Sequence, residues 1–252
     1  MKLGLIGAGN MASALARGIG EPVLVSDPDS ERAGALAREM GGEALDSNGE
    51  VAERADAVVL CHKPKQLAEV AEELSGRAKP VVSILAAVRI ERLEHAYPAV
   101  PVYRFIPNIP AEVRSGVLCY SPGSRAGDGP EGELLELFGR LGTVIPLEDE
   151  ALMEPAMALM SSGVAFVALV AEAFADAGAA HGLPPDDAVR MAVETMGGTS
   201  AWLGAHGLDL EGLRARVATP GGVTERGLEA LEQRQLRAVC RAAVDTVVEA
   251  TR

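Results

Sequence analysis

The chain has 252 residues, 48% of them hydrophobic and 23% charged, which is enough for one large core or two smaller ones. Its formal net charge of −13 argues against a nucleic-acid partner, which asks for a basic face. No apolar run reaches the roughly 18 residues of a membrane span and no basic-then-apolar leader precedes the first strand, so a soluble, cytoplasmic protein is expected.

The opening MKLGLIGAGNMAS carries the strongest signal. Leu3, Leu5 and Ile6 form a short buried strand, Gly7-Ala8-Gly9 turns, and Asn10-Met11 opens an alanine-rich helix ending near Gly18. Gly7 permits the tight turn and Gly9 lets a ligand approach the backbone. Ala12 is small enough for the helix to pack on the strand. The free N–H groups and positive dipole end of that helix suit a pyrophosphate. A second apolar run, Val23-Leu24-Val25, leads to Asp27, roughly 20 residues past the first glycine, where an acid grips an adenosine ribose. The competing role for Asp27 is a turn or cap residue ahead of Pro28.

Residues 30–40 read as a helix capped by Ser30 and stopped by Gly41-Gly42, and 46–54 as a short helical connection holding Asn48. A third strand, 57–61, ends in Cys61-His62-Lys63-Pro64, and a helix follows over 66–74. Lys63 suits a phosphate or ribose as well as solvent, and His62 suits a strand-end hydrogen bond better than an acid. Strands at 81–85 (before Ala86-Ala87) and 102–106 (before Pro107-Asn108), helices at 89–97 and 132–141, and strands at 117–121 and 143–147 complete the pattern. Near-continuous apolar strands alternating with helices specify a parallel sheet covered on both faces, an α/β Rossmann-type domain over 1–148. Its ligand belongs beyond the carboxyl ends of the strands.

From 149 to 252 no strand pattern returns. Helices are expected over about 150–181, with core on nearly all sides through 157–170, then 185–205, 210–217, and 224 to the C-terminus. Such an all-α, alanine-rich segment exposes too much apolar surface to stand alone. It reads as a dimerisation and substrate-binding domain. Thr219-Pro220-Gly221-Gly222-Val223-Thr224 offers exposed amides and hydroxyls at a helix start, which fits a carboxylate as well as a simple capped helix. Cys61, Cys119 and Cys240 are widely spaced and read as reduced core residues. Neither they nor the four histidines form a metal cluster, so no metal site is expected.

These motifs resemble the pyrroline-5-carboxylate reductase family over nearly the whole length. GLIGAGNMASALARG is similar to the family's opening, VVLCHKPKQL to its Val-Lys-Pro strand end, and VVSILAAV to its Ser-x-Ala-Ala-Gly segment. VYRFIPNIPAEVRSG resembles its Pro-Asn-Thr-Pro segment, SSGVAFVALVAEAFADAGAAHGLP its Gly-Ser-Gly-Pro-Ala-Tyr helix, and LRARVATPGGVTERGLEALE its closing Ser-Pro-Gly-Gly-Thr-Thr signature.

The resemblance implies NAD(P)H-dependent reduction of a cyclic imine bearing a carboxylate, by a homodimer joined through the helical domain. Dimers in the family often assemble further, commonly into decamers. Thr219 and the Gly221, Gly222 and Val223 amides would hold the substrate acid, and Thr224 would serve the ring nitrogen as the catalytic residue. Gly7, Ala8, Gly9, Asn10, Met11, Asp27, Asn48, Cys61, His62, Lys63, Pro64, Ala86 and Asn108 make the expected cofactor set. The arrangement requires the nucleotide cradle to face the diglycine bend of the same chain or of a twin. Departures stand at Val164 and Phe166 (proline and tyrosine in the family), Ile109, Val88 and His62.

Protonated cyclic imines need orientation and a dry site more than a strong acid. A hydroxyacid dehydrogenase with a helical second domain would need a lysine there, and no lysine follows Lys79. The other alternative is a relative acting on another imine or binding dinucleotide as a non-catalytic sensor. With Asp27 in place and no arginine closer in sequence than Arg32, NADH is expected over NADPH.

Overall fold

The computed structural model describes residues 1–77 and 79–251. It divides into two compact units, one of residues 1–161 with 251, the other of residues 162–250.

The first unit is an eight-stranded sheet in the order β3-β2-β1-β4-β5-β6-β7-β8. The strands are β1 (Leu3–Ile6), β2 (Leu24–Ser26), β3 (Glu43–Ala44), β4 (Ala57–Leu60), β5 (Val81–Ser83), β6 (Val102–Pro107), β7 (Gly116–Pro122) and β8 (Gly142–Pro146). Its helices are α1 (Asn10–Ile19), α2 (Ser30–Met40), α3 (Asn48–Arg54), α4 (Leu67–Glu73), α5 (Ile90–Ala96), α6 (Glu131–Gly139) and α7 (Met153–Met160). Strand order reverses between β1 and β4, which opens the crevice where such sheets bind ligands.

Period-two alternation along the strands makes two cores. Leu3, Leu5, Val59, Val82 and Phe105 pack with Leu15 of α1 and Phe138 of α6. Ile6, Val58, Leu60 and Val81 point the other way, onto Val51, Val70 and Leu93 of α3, α4 and α5.

Four expectations for this unit need correction. The sheet is not wholly parallel, since β6 and β7 pair antiparallel with Ile106 opposite Cys119. Residues 108–115 between them are too few for the dozen or so that a parallel crossover needs. The two-residue edge strand β3 was missed because both its residues are exposed and carry no apolar pattern. The cap of α2 is Asp29, which accepts the Arg32 N–H at 3.1 Å, rather than Ser30. The helix expected over 150–181 is interrupted at Ser161-Ser162, where the Ser161 hydroxyl donates to the Pro107 carbonyl at 3.1 Å.

The second unit holds α8 (Gly163–Ala180), α9 (Pro185–Ala205), α10 (Leu210–Val217), α11 (Val223–Gln233) and α12 (Leu236–Ala250). The single helix expected from 224 onward is two, because Gln235 adopts φ +61° and ends the ladder. Nor is 157–170 enclosed on nearly all sides: Val167 is 58% and Leu169 63% exposed. Cys240 is exposed rather than core, Cys119 is buried, and all three cysteines are free.

The segment Glu150–Ala180 is also long and apolar enough to cross a membrane, with a mean hydropathy of 1.8 in its most apolar window. That overturns the expectation that no segment reaches this length. Counting consecutive apolar residues stops at every serine or glutamate, whereas an Ala/Leu/Val helix carrying one or two acids still averages apolar.

Candidate active site

Seven of the expected cofactor residues gather around one groove at the β1–β4 reversal. Gly7, Gly9, Asp27, Asn48, Cys61, His62 and Lys63 line a cavity of about 500 Å3, together with Ser26, Asp29, Arg32 and Gln66. Gly7 adopts φ +108°, and a Cβ there would meet the Cys61 carbonyl carbon at 2.9 Å. A side chain is therefore excluded at Gly7 on two counts. Beside it Gly9 faces open space, with nothing within 4 Å of a built Cβ, and no side chain caps α1. The first-turn amides of α1, from Asn10 and Met11 onward, thus have no partner within their own helix. An open glycine at an uncapped helix start fits a dinucleotide pyrophosphate, and here the residues fit the cofactor that the fold implies.

Asp27 follows β2 directly. Its carboxylate accepts the Ala8 N–H at 2.7 Å and the Asp29 N–H at 2.9 Å, and its side chain is only 9% exposed. The acid therefore braces the glycine turn from the β2 side of the groove. Asn48 begins α3 and is oriented on both sides: its Oδ1 accepts the Ser26 hydroxyl at 2.6 Å and its Nδ2 donates to Glu73 at 2.5 Å.

His62 turns its Nδ1 to the Lys63 carbonyl at 2.9 Å. A carbonyl only accepts, so Nδ1 carries the proton and Nε2 is the bare nitrogen. That Nε2 is buried without a hydrogen-bond partner among the described residues. Burial lowers the His62 pKa, partly opposed by the Lys63 carbonyl and by Glu73. Burial likewise raises that of the Cys61 thiol, which is thereby kept protonated and unreactive. Pro64 opens the turn into α4, where the Gln66 side chain accepts the Lys63 N–H at 3.1 Å.

The other six expected residues lie outside the groove lining: Ala8, Asn10, Met11 and Pro64 adjoin it in sequence, while Ala86 and Asn108 do not. Ala86 sits exposed in the turn after β5. Asn108 is buried and spent on structure, donating to the Met160 carbonyl at 3.0 Å and accepting the Val117 N–H at 2.9 Å. Conversely, Ser26, Asp29, Arg32 and Gln66 were missed. Asp29 was legible in principle, since an aspartate directly before a helical run is a favoured N-cap.

In the helical unit the expected acid-binding bend is built around Gly221, at φ +76°. Gly222 N–H donates to the Thr219 carbonyl at 2.9 Å, and a Cβ on Gly222 would strike the Thr219 hydroxyl at 2.6 Å. Gly222 is the N-cap of α11, so Val223 and Thr224 are its first two residues. The Gly221 N–H donates to the Glu225 carboxylate at 2.6 Å. This amide thus already holds a carboxylate, from its own helix. Among the described residues no group of three metal-ligating side chains occurs.

A Rossmann sheet with a phosphate-ready glycine turn, followed by a helical unit, defines the class of dinucleotide-dependent oxidoreductases with an all-α second domain. A family model described as pyrroline-5-carboxylate reductase dimerisation matches residues 150–252, and one described as NADP oxidoreductase, coenzyme F420-dependent, matches residues 2–87. The chain is 35% identical to pyrroline-5-carboxylate reductase 3 of Danio rerio, covering 100% of this chain and 91% of that one. Among solved structures it is similar to a pyrroline-5-carboxylate reductase from Coxiella burnetii (TM-score 0.89, 27% identity, 99% of this chain and 96% of that one). It is similar also to the Plasmodium falciparum pyrroline carboxylate reductase with NADP bound (TM-score 0.86, 25% identity, 100% and 97%). The chain belongs to the pyrroline-5-carboxylate reductase family.

Proposed function

We propose that this chain reduces the C=N bond of 1-pyrroline-5-carboxylate to give L-proline, with the groove of the first unit holding the dinucleotide and the Thr219–Thr224 bend holding the imine's acid. The observation that carries the substrate half is the Gly221 amide, which already accommodates a carboxylate at 2.6 Å. Family membership and the Gly7–Gly9 turn carry the cofactor half.

When bound, the reduced nicotinamide supplies the hydride. The protein's own part is to hold and orient. The Gly222 N–H is given to the Thr219 carbonyl, so the Val223 amide at the positive end of α11, with the Thr219 hydroxyl, receives the substrate carboxylate. The Thr224 hydroxyl, one residue further along α11, holds the ring nitrogen. A protonated imine is already electrophilic, so the electron pair released from C=N settles on that nitrogen without a strong acid. The absence of lysine beyond Lys79 suits imine chemistry, which has no alcohol proton to shuttle.

NADH is the preferred partner in this reading. Asp27 and Asp29 line the groove together just past β2, where a carboxylate receives the ribose hydroxyls of NAD and repels a 2′-phosphate; Arg32 and Lys63 are the cations of the same lining. The exposed apolar faces of α8 and α9, which border a groove of about 620 Å3 in the helical unit, support a homodimer made through that unit. Three free cysteines fit a reducing, cytoplasmic compartment.

Mixing the protein with pyrroline-5-carboxylate and each reduced cofactor, and following nicotinamide absorbance, tests the reaction and the cofactor preference together. Turnover with a lower KM for NADH is the expected result. Cofactor binding without turnover on five- or six-membered cyclic imino acids would make the chain a sensor rather than a reductase.

A further inference from the structure

The groove carries a charge arrangement that the opening motif does not account for. Asp27 is nearly covered and two backbone amides already occupy its carboxylate. Asp29 and Arg32 border the same groove but are half-exposed, the state of groups able to meet a ligand. Arg32 places one terminal nitrogen 2.9 Å from the Asp29 carboxylate and the other 3.9 Å from that of Asp27. Asp29 is thus the close partner of the guanidinium and Asp27 the distant one. The electrostatics agree: the Arg32 pKa is raised, first by its hydrogen bond to Asp29.

A guanidinium is the natural partner of a ribose 2′-phosphate, through two parallel N–H bonds. Here its fork is turned onto Asp29. We infer that Asp29 is the residue that decides between the two nicotinamide dinucleotides in this chain, by withholding Arg32 from a 2′-phosphate. Asp29 is a positioning residue, acting through Arg32. The inference rests on the reading that this groove takes the adenosine ribose of the cofactor.

The test is Asp29→Ser, which removes the charge while keeping an oxygen to accept the Arg32 N–H at the helix start. Dissociation constants for NADH and NADPH are measured by titrating cofactor fluorescence without imine, so catalysis does not enter. The expected result is a rise of about tenfold in preference for NADPH relative to NADH, the size of one charge-assisted hydrogen bond. That gain disappears in Asp29→Ser/Arg32→Gln and shrinks with added salt. Asp29→Asn serves as the second variant should the serine protein melt at a much lower temperature. A preference within twofold of the parent, or a gain that survives loss of Arg32, overturns the inference. If the parent already binds NADPH more tightly, the NADH reading fails, while the role of Asp29 is still judged by the change in ratio.

Discussion

The Glu225 carboxylate accepts the Gly221 N–H at 2.6 Å, so an internal acid occupies a donor on the bend proposed for the substrate's acid. Glu225→Gln keeps an acceptor for that amide and removes the like charge. The KM for the imino acid should fall by about two- to fivefold at low ionic strength, the range of a partly solvated charge interaction, and by less as salt is added. An unchanged KM at low salt would show that Glu225 leaves the incoming acid undisturbed.

Thr224 stands at the second position of α11, next to the amides of the bend. Replacing its hydroxyl in Thr224→Val should lower kcat by about 100-fold, the loss typical of one preorganised donor, with cofactor affinity retained. Thr224→Ser should recover most of the rate. Parent-like kinetics in the valine variant would remove Thr224 from the chemistry.

His62 is half-buried, its Nε2 has no hydrogen-bond partner among the described residues, and burial lowers its pKa. An imidazole held below its unfolded value of about 6.5 binds more protons in the unfolded chain, so its share of stability is present above that pH and drains away as the pH falls below it. His62→Val should stabilise the fold by about 1 kcal/mol at neutral pH and flatten the decline in Tm between about pH 6.5 and 5. Thermal melts across that range measure both, and a steeper acid decline in the variant would contradict the assignment.

Arg104 of β6 is fully buried and pairs with Glu150 at 2.6 Å and Glu154 at 3.5 Å. Glu150 also accepts the Ile90 N–H at 2.7 Å, so one carboxylate ties β6 to the start of α5. Arg104→Met strands both acids against β6 and should cost about 3 kcal/mol in urea unfolding. Neutralising the acids as well, in Arg104→Met/Glu150→Gln/Glu154→Gln, should return much of that loss. Equal instability of the single and triple variants would mean that packing, not charge, is what Arg104 supplies.

Phe174 and Val167 are large apolar residues exposed on α8. Val167→Glu/Phe174→Glu should give a monomer by light scattering and a melt that no longer depends on protein concentration. A parent-like mass would place the interface elsewhere.

Local pattern was legible wherever burial acts along one segment at a time. Leu3–Ile6 and Ala57–Leu60 announce themselves because a doubly covered strand is apolar throughout. The spacing of Gly7, Gly9 and Asp27 points to one groove, and the structure brings the three together in one lining. Asn108 misled because a polar residue at a strand end looks free to bind. Here it instead satisfies the Met160 carbonyl and the Val117 amide.

By itself, then, the order of residues determined a Rossmann-type sheet followed by helices, and a glycine bend before α11. Those follow from periodicity and from glycine's backbone freedom, which are properties of short stretches. Only the folded molecule decided that β7 runs against β6, that Arg32 lies on Asp29 beside Asp27, and that Glu225 reaches back to Gly221. Each depends on the direction a side chain or strand takes in space, and direction is set by neighbours that spacing along the chain does not reveal.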